Sequence, residues 1–456
     1  MKIEDTFFSH PNKNYNDHIS RIAQSFDDEN HSVVAHYHDL GKLSNEFQAY
    51  ISLVKEINES NNDFEKRRNK FKTTHTLESA YLYFCNQAKI KEEFLANFFA
   101  ILKHHTSLSD ISKDMNDYLS TIDNYVDNER LEIIKTIAKK SNIKFNDDIY
   151  EFIDYFDAIS NEDFYKSINT FFLFKKRYSR LILADKFEAI FSQPYQNLPS
   201  LSHETINRHL TKIEHIINEK QKERPNEYRT KARETIFENF EKDTNSNIYL
   251  IKAPTGIGKT FIALELALKI AKIKGDKRRI ITAIPFTSII DQTHQEYENI
   301  LGNGSVLKYH HLTKQKEPTE VDEKEQFSQK VFLSDIWHEH FIVTTFNQLL
   351  YTLFSNHNRD NVRLETLRDS VIIVDEVQNI PRTLLKSVSF IFNEFSKRYN
   401  IDFIIMSATM PNIYDEFENA QIVSNDSFYT EKNNRYILSY EENLGSYESL
   451  SETRYL

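Results

Sequence analysis

The sequence predicts a multidomain chain: an all-α domain followed by an α/β lobe with a mainly parallel sheet. Three observations predict it. Residues 1 to about 191 carry apolar side chains at helical spacing, as in Phe94, Phe98, Phe99, Ile101 and Leu102, or Tyr178, Leu181, Ile182, Phe187, Ile190 and Phe191, and such spacing lines one helix face. From about residue 247, short apolar runs alternate with helical segments, the pattern of strands buried on both faces of a parallel sheet. At 456 residues the chain has length for two or three cores.

The elements follow in order. A proline-punctuated loop, SQPYQNLPSLSH, closes the first domain, taken as residues 1–200. A helical linker at 201–228 has Ile206, Leu210, Ile213, Ile216 and Ile217 on one face and ends at Pro225. The lobe occupies 229–456. Its predicted strands are NIYLIKAP, RIITAIP, FIVTTF, VIIVDEV and DFIIMSAT. Residues 313–330, TKQKEPTEVDEKEQFSQK, are strongly charged and read as a solvated loop.

Composition narrows the function classes. The net charge of -11 excludes a chain that coats nucleic acid through bulk positive charge, though not a local basic groove. The single cysteine, Cys85, rules out an intrachain disulfide and a Cys-based zinc site made by this chain alone; it reads as a small buried apolar residue. There is no run of 18 apolar residues, and the N-terminal MKIEDTFFSHPNKN has no apolar signal core, so the expectation is a cytoplasmic protein with no membrane partner.

With only 7 glycines in the chain, the cluster in APTGIGKT, Ala253–Thr260, is informative. It follows a strand-like run and opens an amphipathic helix, the context of a phosphate-binding P-loop. Gly256 and Gly258, together with Thr255, let backbone N–H groups wrap phosphate oxygens at a helix N-terminus. Lys259 is placed to reach the β- and γ-phosphates and the Thr260 hydroxyl to ligate Mg²⁺. In VIIVDEVQ an apolar strand delivers Asp375, for Mg²⁺, and Glu376, to orient the attacking water. Ser407-Ala408-Thr409 ends another apolar strand. These three motifs in this order resemble the first RecA-like lobe of superfamily 2 helicases, which implies ATP and Mg²⁺ as ligands. The resemblance places Thr287, Thr344, Thr345 and Gln348 among candidate DNA-phosphate contacts; plain polar-loop residues are the alternative.

The first domain carries a second constellation. HDLGK, His38–Lys42, puts a nitrogen ligand beside a carboxylate that can bridge two metals through its two oxygens. His18, His75, the pair His104-His105 and Asp185 each lie on or beside a predicted helix. Histidines and acids converging from several helices are how all-α folds build dimetal sites. The arrangement resembles the HD superfamily of metal-dependent phosphohydrolases. With the His-His pair and HDLGKLSNEFQAY, it is most similar to the HD nuclease domain of the CRISPR-associated helicase-nuclease of type I systems, the "Cas-three" family.

That resemblance spans about residues 10–425. It implies His18, His38, Asp39, His75, His104, His105 and Asp185 as metal ligands, with Asp39 bridging and Lys42 near the scissile phosphate. Ligation rich in histidine favours two divalent transition metals, Mn, Fe, Co or Ni. The implied enzyme is a metal-dependent single-stranded DNA nuclease fused to a helicase-type ATPase lobe, recruited by a guide-RNA surveillance complex to degrade invading DNA. Only 47 residues follow Thr409, with no second strand–helix series, so the expectation is an incomplete motor, with a separately encoded second lobe as a candidate partner. The alternatives are an HD nucleotide phosphohydrolase with a regulatory ATP-binding lobe and a non-hydrolysing ATP-binding scaffold.

Overall fold

The computed structural model describes residues 3–56, 75–109, 129–160, 167–196, 199–223, 225–275, 279–310 and 321–424. The first half is helical: α1 Tyr15–Gln24, α2 Glu29–Tyr37, α3 Asn45–Glu56, α4 Thr76–Asn86, α5 Lys91–Lys103, α6 Glu129–Ser141, α7 Ile149–Ser160 and α8 Ile168–Phe191. It is not purely α. A short antiparallel hairpin, β1 Phe8–His10 and β2 Lys13–Asn14, precedes α1. Asn14 ends the hairpin and caps α1, its side chain accepting from the N–H groups of Asn16 and Asp17. The domain core is aromatic, with Phe84, Phe94, Phe98, Phe152 and Phe156 stacked among α4, α5 and α7. The longest helix, α8, packs along α5, so residues of both face one centre.

The second half contains α9 His203–Glu223, α10 Glu227–Lys242, β3 Ile248–Lys252, α11 Lys259–Lys274, β4 Arg279–Ile284, α12 Thr287–Leu301, β5 Val306–Tyr309, α13 Val321–Asp335, β6 Phe341–Thr345, α14 Phe346–Phe354, α15 Asn358–Asn361, β7 Ser370–Val374, α16 Leu385–Tyr399, β8 Asp402–Ser407 and β9 Ala420–Ile422. The seven strands form one parallel sheet in the order β5-β6-β4-β7-β8-β3-β9. Alternation supplies two cores. Tyr249 and Ile251, Val371 and Ile373, and Ile404 and Met406 face the helices α9, α10 and α11. Ile248 and Leu250, Ile372 and Val374, and Phe403 and Ile405 face α14 and α16.

Some sequence expectations are corrected here. The segment read as a helical linker does contain a helix, and it packs on α11 with Leu201, Ile206 and Ile213 buried among the lobe's core residues. The charged segment read as a loop is helical from Val321; residues 313–320 lie outside the described residues. Apolar Phe332 and Leu333 at the end of α13 pack against the N-terminal core, and that burial outweighs the charge of the segment. Strands β5 and β9 were not anticipated because they are short, half-exposed edges of mixed polarity. Cys85 is half-buried rather than buried. The 425–456 tail lies outside the described residues. No helix among the described residues is long and apolar enough to cross a membrane.

The two halves interlock. Ile336 and Val362 belong to the N-terminal core, whereas Phe172 of α8 enters the lobe's core against Phe395, ring centroids 5.2 Å apart.

Candidate metal centre and nucleotide site

Five chain segments bring the seven predicted ligands of the first domain to one point. His18 comes from the middle of α1. His38 caps α2, Asp39 follows it, and the tight 3-10 turn Leu40–Leu43 then carries Lys42. His75 stands at the start of α4, His104-His105 directly after α5, and Asp185 within α8. Gly41 makes the convergence sterically feasible. A Cβ there would lie 2.3 Å from the His75 carbonyl oxygen and 2.6 Å from its Cβ. The Gly41 N–H donates to Ser79 Oγ at 2.9 Å, and Ser79 Oγ donates to His75 O at 2.8 Å, which seats α4 on the HDLGK turn.

Asp39 is fully buried at the centre. Its Oδ2 lies 3.3 Å from His18 Nε2 and 3.4 Å from His38 Nε2; Asp185 Oδ1 is 3.5 Å from the same His18 nitrogen. Its Oδ1 lies 3.1 Å from His75 Nε2 and 3.5 Å from His104 Nε2, and His105 Nε2 is 3.0 Å from His75 Nε2. The seven residues thus form two ligand-spaced groups that share Asp39: His18, His38, Asp39 and Asp185, and Asp39, His75, His104 and His105.

Electrostatics and hydrogen bonding fit metal ligation. His38 Nδ1 faces Ala35 O at 2.8 Å and His104 Nδ1 faces Ile101 O at 2.7 Å. A carbonyl can only accept, so the proton sits on Nδ1 and the Nε2 lone pair points inward. Both Nε2 atoms are buried without a hydrogen-bond partner, a costly state for a polar atom unless something fills it. Burial pushes the His38 imidazole down to about 4, so it is neutral, as a ligand must be. Burial opposes charge on Asp39, yet the groups gathered around it hold its carboxyl well below the usual range. Lys42 Nζ sits 2.6 Å from Asp39 Oδ2, itself buried.

Sequence reasoning missed the shell behind these ligands. Glu188, fully buried, faces His18 Nδ1 through Oε2 at 2.5 Å and accepts from Lys13 Nζ at 2.9 Å and Arg21 Nη1 at 3.1 Å. It orients His18 as a carboxylate behind a metal-ligating histidine does. Glu188 lies three residues after Asp185, on the same helix face, and that spacing was the available signal. His10 of the hairpin packs edge-on against His18, centroids 5.0 Å apart. His36, left out of the ligand set, is exposed on α2.

The lobe's motifs gather at the C-terminal ends of β3, β7 and β8. After β3, Gly256 and Gly258 take φ of 85° and 91°, a conformation that favours glycine, and Gly258 opens α11. Ala253 N–H donates to Ser407 O at 3.0 Å, which pins the loop to the SAT strand. A polar chain then joins the motifs. Lys259 Nζ meets Glu376 Oε1 at 3.1 Å, Gln378 Nε2 donates to Glu376 Oε2 at 2.6 Å, Ser407 Oγ donates to Gln378 Oε1 at 2.5 Å, and Thr409 N–H donates to Ser407 Oγ at 3.0 Å. Gln378 therefore links the carboxylate motif to the SAT motif. Burial, then the neighbouring Glu376, raises the Asp375 carboxyl to about 6. Thr255 and Thr260 lie in and directly after the glycine loop. Arg229 Nε donates to Gly256 O at 2.8 Å, beside a cavity of about 130 Å³ lined by Gln221, Asn226, Ile257 and Phe261.

The predicted DNA-phosphate contacts fare differently. Thr287 is partly exposed in the first turn of α12. Thr344 is fully buried and donates to Tyr309 O, Thr345 caps α14 by accepting from Gln348 N–H, and Gln348 Oε1 accepts from buried Arg363. All three are buried, and each makes a side-chain hydrogen bond within the lobe.

Residues 9–153 match the Cas3 HD domain family, and residues 230–417 match the DEAD/DEAH box helicase family. The CRISPR-associated nuclease/helicase Cas3 of Haloferax volcanii is 30% identical over 192 residues, covering 39% of this chain and 20% of that protein. The putative CRISPR-associated nuclease/helicase Cas3 of Methanocaldococcus jannaschii is 27% identical over 182 residues, covering 38% of this chain and 25% of that protein. The chain thus matches about a quarter or less of the length of these curated relatives. The crystal structure of T. fusca Cas3 aligns with 86% of this chain and 46% of its own at 17% identity, with a TM-score of 0.43. The chain thus carries a Cas3-type HD domain followed by a DEAD/DEAH box helicase domain, the two domains of a Cas3 helicase-nuclease.

Proposed function

We propose that this chain is a metal-dependent nuclease that cuts single-stranded DNA at the HD centre, coupled to an ATP-binding motor lobe, and that it acts with a guide-RNA surveillance complex on invading DNA. The observation that carries the reading is Asp39, whose two oxygens each face a separate group of ligands, with buried Nε2 lone pairs left open toward the centre. When bound there, two divalent transition ions supply an activated water near neutral pH and a clamp on the phosphate. Asp39 bridges the two positions. His18, His38 and Asp185 complete one, and His75, His104 and His105 the other. Lys42, beside Asp39, offers positive charge to the phosphate oxygens. In the lobe, Thr255, Gly256, Gly258, Lys259 and Thr260 cradle the phosphates of ATP, Asp375 holds Mg²⁺ and Glu376 orients water.

The test is Asp39→Ala assayed on single-stranded DNA with Mn²⁺. Cleavage should vanish while binding of a fluorescent ATP analogue to the same chain is retained. Cleavage at the wild-type rate would refute the dimetal reading. Offering free nucleotides beside DNA separates this function from nucleotide hydrolysis.

A further inference from the structure

We propose that Asn358, a residue of the motor lobe, is a positioning residue of the nuclease centre, which it staples from outside the HD domain. The proposal rests on the nuclease reading above and adds a contribution from the other lobe.

His104 and His105 stand on an irregular strap that leaves the C-terminus of α5. The last carbonyls of a helix have no partner within it, so a strap there needs outside bonds to hold two ligands in place. The motor lobe supplies them from residues 356–358, the end of the link between α14 and α15 and the first residue of α15. Asn358 Nδ2 donates to His104 O at 2.8 Å. Leu108 N–H donates to Asn356 O at 2.7 Å, and Asn356 Nδ2 donates back to Leu108 O at 3.0 Å. Tyr178 OH, itself within 3.3 Å of Asn358 Nδ2, donates to Thr106 O at 2.8 Å.

The other end of the Asn358 amide faces the second ligand group. Its Oδ1 accepts from Lys186 Nζ, and Lys186 follows Asp185 on α8. One amide therefore joins the backbone of His104, in the group Asp39, His75, His104 and His105, to the neighbour of Asp185, in the group His18, His38, Asp39 and Asp185. Lys175, two turns and more before it on α8, anchors the same link through Ser355 O and Asn361 Oδ1. The spacing between the two groups is thus set partly by a residue that begins a helix of the helicase lobe, a dozen residues beyond the end of β6.

The experiment uses the full chain with Asn358→Ala, titrated with Mn²⁺ by calorimetry. Loss of an outer-shell partner typically costs 10–100-fold in metal affinity, so Mn²⁺ binding should weaken by about that factor. Binding of a fluorescent ATP analogue should stay unchanged, and single-stranded DNA cleavage should recover in excess Mn²⁺. General loosening of the fold would weaken ATP-analogue binding together with metal binding, which the parallel nucleotide titration reads. Wild-type Mn²⁺ affinity in Asn358→Ala would overturn the proposal, as would parallel loss of nucleotide and metal binding. If the wild-type chain takes up no Mn²⁺, the nuclease reading itself falls and this proposal with it.

Discussion

Glu188→Gln and Glu188→Ala probe the shell behind the candidate metal ligands. The Glu188 carboxylate is fully buried and meets three groups: His18 Nδ1 at 2.5 Å, Lys13 Nζ at 2.9 Å and Arg21 Nη1 at 3.1 Å. Removing one partner of a buried charge pair costs about 3–5 kcal/mol when the other is stranded. Here Lys13 and Arg21 are 13% and 33% exposed and can turn to solvent, so alanine should cost less, about 2–3 kcal/mol. For a domain near 200 residues that is a fall of roughly 5–10 °C in thermal midpoint. Glutamine keeps the shape and one acceptor, and should cost about 1–1.5 kcal/mol. Both variants lose the negative charge behind His18, so Mn²⁺ affinity should drop about 10–100-fold in each. Differential scanning calorimetry without metal reads the first effect, and titration with Mn²⁺ the second. Glu188→Gln binding Mn²⁺ as tightly as wild type would refute the reasoning, because the carboxylate would then be only a structural ion-pair partner.

Gly41→Ala places a Cβ 2.3 Å from the His75 carbonyl oxygen; the backbone must shift, costing about 1–3 kcal/mol and displacing His75, which a Mn²⁺ titration should register as weaker binding. Lys259→Ala deletes the cation facing Glu376 and should abolish ATP-analogue binding while leaving Mn²⁺-dependent cutting of single-stranded DNA unchanged, measured in parallel. His209, buried edge-on against Phe341, is pushed from 6.5 to about 4 by burial and then by Arg208. Its folded form resists protonation more than its unfolded form, so the unfolded chain takes up the extra proton and stability falls as pH drops from about 6.5 to 4. The loss should be about 3 kcal/mol, and acid unfolding curves of His209→Phe should lack it.

The candidate residues of both sites were legible in the sequence because many of them sit in short contiguous motifs. APTGIGKT needs glycines for its backbone conformation, and Gly256 and Gly258 both take positive φ. HDLGK carries the central carboxylate Asp39 and the close-approach Gly41 within five residues. The buried strands were equally plain, since both faces of β3, β4, β7 and β8 are covered and their runs are almost unbroken in apolar residues. Edge strands β5 and β9 and helix α13 escaped because half-exposed elements mix polar and apolar residues, and local pattern then has little to report.

What only the tertiary structure decided is which side chains share a space. Thr344, Thr345 and Gln348 read either as phosphate contacts or as plain polar-loop residues, and the fold makes each buried and bonded within the lobe. Glu188 reads as one more acid on a long helix until α1 brings His18 against it, 170 positions away in sequence. Asn358 and His104 are 254 positions apart. A sequence displays the donors and acceptors of each residue. Which donor meets which acceptor depends on helices and strands packing to bury their apolar faces, and that packing sets the long-range neighbours.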